Sequence, residues 1–168
     1  TAIDTLKLKG LKPGSLLMEA LYTVECIAPA SLRLQRYLPA TVIRTVVTLD
    51  GKDLSHILSY EKLSPLLERI PSQTAQTLAK QAQPQVELLI NAAEIIAKEK
   101  MPEIIKAAEN MMLTEQRAEL TRLIALSEIN ANIREEEMLT LKNNAEEMAH
   151  CLAGASLRLN AIRLIMAI

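Results

Sequence analysis

Between residues 15 and 27 apolar and polar positions alternate. Leu16, Met18, Ala20, Tyr22, Val24 and Cys26 occupy the even positions, while Glu19, Thr23 and Glu25 interrupt the odd ones. A period of two predicts a β-strand with one face on a core and the other toward solvent or a neighbour. Ala28-Pro29-Ala30 ends it, because proline has no N–H to give to a ladder. Leu32, Leu34 and Leu38 alternate with Arg33, Gln35 and Tyr37 and predict a second strand, closed by Pro39. Residues 41–49 are dense in β-branched side chains and predict a third. Asp50-Gly51 suits a two-residue hairpin turn, and Leu54, His56, Leu58 and Tyr60 alternate in a fourth strand. Residues 10–60 therefore read as an antiparallel meander of about four strands.

After Pro65 and Pro71 the period lengthens. Ala75, Ala79, Ala82, Val86, Leu89, Ala93 and Ile96 are spaced by fours and threes, which lays them along one stripe of a helix. Ser72 is a fitting cap. Pro84 and Pro102 predict a kink or break at one or both, with a new helix near Pro102, since an interior proline costs about 3 kcal/mol. The helix is expected to end near Ser127. Residues 128–132 read as a turn, and Asn132 with Glu135 has the spacing of a capping box for a second helix carrying Met138, Leu141, Ala145, Met148, Leu152 and Ala155. Residues 72–156 thus predict a long antiparallel helical hairpin. Residues 157–168 fit both periods, and the expectation is a strand returning to the sheet. The fold class is α+β, with residues 1–168 as one domain.

The hydrophobic content of 49% suffices for a core without a metal or disulfide. A net charge of −1 argues against an electrostatic nucleic-acid binder as a whole. Residues 1–60 are nevertheless mildly basic, with Lys7, Lys9, Lys12, Arg33, Arg36, Arg44 and Lys52 against five acids. Phe and Trp are absent, so base-stacking platforms and aromatic interface anchors are scarce. No apolar run reaches the length of a membrane span, so no membrane partner is expected. A start at Thr1 without Met or signal-peptide pattern suggests a piece of a longer chain.

Candidate chemistry is sparse. Gly51-Lys52-Asp53 lacks the upstream glycine and the Ser/Thr of a phosphate-binding loop, and four glycines cannot build a glycine-rich cradle. No catalytic, cofactor-binding or metal residues are assigned. His150 and Cys151 are neighbours on a helix and point about 100° apart, so zinc would need His56 and Cys26 as well. Cys26 and Cys151 read as buried free thiols, and the methionine pairs as core filler. Glu135-Glu136-Glu137 suit the positive end of a helix dipole. Arg33, Arg36 and Arg44 are the candidate interaction surface, although Arg33 and Arg36 fall on opposite faces of a strand.

Gly10-Leu-Lys-Pro-Gly14-Ser-Leu-Leu17, Met18-Glu-Ala-Leu-Tyr22-Thr-Val-Glu25 and Arg36-Tyr-Leu-Pro39-Ala-Thr41-Val-Ile-Arg44 resemble the opening of the C-terminal module of the RapA family. Asn132-Ile-Arg134-Glu-Glu-Glu and Leu157-Arg-Leu-Asn-Ala-Ile-Arg163-Leu-Ile165 resemble its last helix and closing segment, in the same order and at similar spacing. Residues 72–115 are similar in pattern more than in identity. The resemblance implies a parent of the Swi/Snf-type ATPase class that binds bacterial RNA polymerase in the cytoplasm. Its ATP and Mg²⁺ chemistry, and its DNA contacts, belong to upstream motor lobes. The expectation is a non-catalytic accessory domain, partnered by core RNA polymerase, by the motor lobes of its own chain, or by both. Its rivals are a self-associating helical hairpin and a weak nucleic-acid-binding module.

Overall fold

The computed structural model of the chain describes residues 2–130 and 135–168. Among these, five strands and four helices follow in the order β1 (Ala2–Leu6), β2 (Leu16–Glu25), β3 (Thr41–Thr48), α1 (Tyr60–Leu63), β4 (Leu67–Arg69), α2 (Ser72–Gln81), α3 (Gln83–Ile129), α4 (Glu135–Ala153) and β5 (Ser156–Ala167). The class is α+β, as the change of period implies. The strands form one sheet in the order β3-β2-β5-β1-β4. The closing segment is a strand, inserted between β2 and β1 and parallel to β1, with Ala2 opposite Arg163 and Leu6 opposite Ala167. β4 runs antiparallel to β1 on its other side.

The chain divides into two compact units. The first gathers the N-terminal stretch through Thr23, Val42–Lys100 and Leu157–Ile168. On one face of its sheet Leu6, Leu17, Val46 and Ile165 close on Leu58 and Leu63, with Leu8, Leu11, Leu54 and Leu67 packed around them. On the other face Ile3, Leu16, Leu164 and Met166 look toward Leu78 and Ala82 of the helical segment. Leu89 and Ala93 of the predicted helical stripe are buried, as is Ala97 one turn further on.

The second unit comprises Val24–Thr41 and the described residues of Met101–Ser156. Ala108, Met112, Leu123, Met148 and Leu152 are buried there, as are Leu34, Tyr37 and Leu38. Leu113, Leu120, Leu141 and Ala145 flank a small groove between α3 and α4.

Several expectations are corrected. Residues 32–38 are not a strand but two short 3-10 turns, Ala30–Leu32 and Leu34–Arg36, joined by Arg33 at φ 47°. Leu34, Tyr37 and Leu38 are spaced three and four apart, which buries them from a turn as readily as alternate positions would from a strand. Residues 54–60 are not a strand either: after the single bridge Val47–Asp53 the N–H groups of Ile57 and Leu58 bond to the Leu54 carbonyl. The turn before that bridge has only Gly51 at positive φ (75°), with its N–H on the Thr48 carbonyl and the Thr48 N–H on the Lys52 carbonyl. That is a type I turn followed by a glycine bulge rather than a two-residue turn.

Of the two prolines, Pro84 marks a junction, with α2 ending at Gln81 and α3 beginning at Gln83. Pro102 neither breaks α3 nor starts a helix. It is exposed, and so is Lys98, the residue whose carbonyl loses its donor, so water can supply that bond. α3 runs on to Ile129, past the expected end at Ser127. The capping box on Asn132 lies outside the described residues.

Candidate functional site

The three arginines singled out from sequence fall in different units. Arg44 belongs to the first unit, Arg33 and Arg36 to the second. Arg33 is exposed on its turn. Arg36 donates from Nη2 to Glu115 Oε2 at 2.9 Å and lies 5.5 Å from the Tyr37 ring centroid. The Tyr37 hydroxyl donates to the same Glu115 oxygen at 2.9 Å and accepts from Gln116 Nε2 at 3.3 Å. Burial first, then Glu115, push the Tyr37 phenol up, against the opposing pull of Gln116 and Arg36. Arg36 thus braces the 3-10 turns, with its side chain still 59% exposed.

Arg44 enters a different structure. Its Nε lies 2.6 Å from Glu19 Oε1 on β2, and its Nη1 donates to the Leu58 carbonyl at 2.7 Å. Glu19 Oε2 is 3.2 Å from Nη1 of Arg163 on β5, and Arg163 Nε is 3.2 Å from Asp4 Oδ2 on β1. The last contact is within ion-pair reach but misaligned for a hydrogen bond, and Arg163 Nε, like Arg44 Nη2, is shielded from solvent without an acceptor. Arg44, Glu19, Arg163 and Asp4 therefore form a ladder of alternating charge that follows the strand order β3-β2-β5-β1. Glu19 and Asp4 are nearly closed off, with side chains 7% and 8% exposed, while Arg163 keeps 32%.

The physics of this arrangement is restrictive. A carboxylate removed from water is tolerated only when paired and hydrogen-bonded. Here both carboxylates are held by guanidinium groups, and two positive charges balance two negative ones. Neither acid is free to serve as a general base. A one-residue slip of any of the four strands would turn its charge to the opposite face, so the ladder fixes register. Beside it a pocket of about 270 Å³ is lined by Ala2, Glu19, Leu21, Ala161, Ile162 and Arg163.

Sequence reasoning missed Asp4, Glu19 and Arg163. The one available signal is Glu19 in mid-strand, on the face that alternation assigns to solvent or a neighbour; that position is buried. The cysteines are free and only partly buried. Burial, then Cys151, push the Cys26 thiol up, away from the reactive thiolate. His150 is exposed on α4. His56 belongs to the first unit, and Cys26, His150 and Cys151 to the second.

A further polar cluster pins the turns after β3. Lys100 Nζ donates to Asp53 Oδ2 at 2.7 Å and to Ser55 Oγ at 3.1 Å, while Ser55 donates to Asp53 from N and Oγ, both at 2.9 Å. Burial alone would raise the Asp53 carboxyl, but Lys100 and Ser55 override it and hold it down at about 2.

Comparison with known proteins decides the family. The family described as "RNA polymerase recycling family C-terminal" matches residues 1–167. The chain belongs to this family. It is 36% identical over 167 residues to the RNA polymerase-associated protein RapA of Pseudomonas fluorescens and to that of Pseudomonas syringae pv. tomato, and 34% identical to that of Pseudomonas putida. In each case 99% of the chain is covered, but it spans only 18% of the relative's length. No helix among the described residues is long and apolar enough to cross a membrane.

Proposed function

We propose that this chain is a non-catalytic accessory domain of a RapA-like polymerase recycling factor and that it docks on core RNA polymerase. The observation that carries the reading is the family match over residues 1–167, together with relatives named as RNA polymerase-associated proteins. The geometry supports it from the other side, because the most buried charges of the first unit neutralise one another. ATP and Mg²⁺ would be handled by motor lobes elsewhere in the full-length protein, which would also place the domain in the cytoplasm with the polymerase. The rival reading of self-association is weakened, since Ala82 of the stripe lines a cavity with strand residues of the chain's own sheet and Leu89 and Ala93 are buried within the fold.

The test is retention of the chain on immobilised core RNA polymerase at about 50 and 200 mM salt, beside an ATP-hydrolysis assay of the chain alone. Retention without turnover is the expected result. Turnover by the isolated chain overturns the non-catalytic assignment. Absence of retention at both salts, with capture by the motor lobes instead, moves the docking partner into the parent chain.

A further inference from the structure

The loop between β1 and β2 carries Lys7, Lys9 and Lys12 within six residues. All three are exposed, while Leu8 and Leu11 between them turn inward and pack against the buried cluster of Leu6, Leu17 and Leu58. The loop is tied down at several points. Leu11 N–H donates to the Leu8 carbonyl (3.4 Å), Ser15 donates to the Lys12 carbonyl from N (3.1 Å) and Oγ (2.6 Å), and Gly14 N–H donates to the Ala167 carbonyl (2.8 Å). Gly10 and Gly14, at φ 103° and 83°, turn the backbone where a side chain would be strained, and the space beside each is open. The result is an anchored loop whose outward residues are cations.

None of the three lysines pairs with another described residue. No carboxylate occurs in sequence between Asp4 and Glu19, and both of those are buried in the charge ladder against arginines. β4, hydrogen-bonded beside β1, adds Glu68 and Arg69, which balance. The ladder thus removes the nearest acids along the chain from the field of the loop. Three unpaired cations remain within at most about 17 Å of chain.

We propose that this loop is a contact for the phosphate backbone of nucleic acid. A protein partner fits it less well, because protein interfaces are depleted in lysine and draw on aromatic and arginine anchors, which the loop lacks. A nucleic-acid strand instead presents a phosphate about every 3.4 Å of duplex, so a row of anions meets the loop in any register. Such contacts position without reading sequence. The proposal is independent of polymerase docking and stands or falls by a different readout.

The test is fluorescence anisotropy of the chain with labelled oligonucleotides of mixed sequence, about 20 nucleotides long, single-stranded and duplex. Three phosphate contacts predict that duplex affinity falls about 40-fold, and single-strand affinity about 20-fold, between 50 and 200 mM salt. Replacing all three lysines by glutamine (K7Q/K9Q/K12Q) should abolish most of that salt dependence, each single change lowering the slope by about one. Lys80→Gln on α2 should leave it intact. An unchanged slope in the triple variant, or no salt-dependent binding of the parent chain, overturns the proposal. Equal affinity for poly-glutamate of matching length also overturns it, in favour of an acidic protein surface. An unchanged circular-dichroism spectrum and urea midpoint keep loss of folding out of the result.

Discussion

Two charged regions of the same unit behave in opposite ways. The ladder Arg44–Glu19–Arg163–Asp4 is turned inward and balanced, whereas the loop Lys7–Lys9–Lys12 is turned outward and unbalanced. Both grow from β1 and β2, whose alternation decides which charges meet a partner within the sheet. Glu19 and Asp4 do so because β5 brings Arg163 between them. The lysines follow the end of β1, where the neighbouring strands run out. The contrast teaches that the arginine most embedded in structure is the poorer choice for partner contact. Arg44 looked like a surface cation in the sequence, yet its side chain is 18% exposed and its donors serve Glu19 and Leu58.

The comparison can be broken most severely at Glu19. Glu19→Ala leaves Arg44 and Arg163 facing each other without their shared carboxylate. Loss of one partner of a buried pair costs about 3–5 kcal/mol, to be read as a lower urea midpoint. Replacing Asp4 and Arg163 together by Leu and Met should cost clearly less than Glu19→Ala, because a balanced pair exchanged for apolar residues leaves no orphan charge.

A smaller effect belongs to Asp53. Its carboxyl is held at about 2, below the ordinary value of 3.8, so its pairing with Lys100 and Ser55 stabilises the fold at pH above that ordinary value. The contribution is lost as pH falls through 4 toward 2. With partial exposure allowed for, about 1–2 kcal/mol is expected, and Asp53→Asn should flatten the acid limb of a stability-against-pH curve by that amount.

Arg36→Ala removes a solvent-exposed pair with Glu115 and should cost about 0.2–1 kcal/mol by chemical unfolding, diminishing with added salt. The smallest effect is expected for K7Q/K9Q/K12Q, whose stability should stay within about 0.5 kcal/mol of the parent.

Legibility of the fold from sequence followed the length of each pattern. The ten residues of β2 and the eight of β3 carry enough alternation or β-branching to be read directly. The seven-residue run at 32–38 does not, because a spacing of four, as between Leu34 and Leu38, serves a strand and a turn alike. β1 and β4, with five and three residues, fall below any periodic signal. Pro102 misled for a different reason: its cost is real, but packing of a 47-residue helix outweighs one solvent-accessible lost bond. The candidate site was the least legible part. Glu19 and Arg163 are 144 positions apart, and only insertion of the closing strand between β2 and β1 makes them neighbours.

The most direct test of the ladder as a coupled structural device is a double-mutant cycle on Glu19→Gln and Arg163→Gln, read by urea unfolding. Coupling of about 1–3 kcal/mol between the two positions is the predicted result. Additivity of the two changes to within about 0.5 kcal/mol would contradict it.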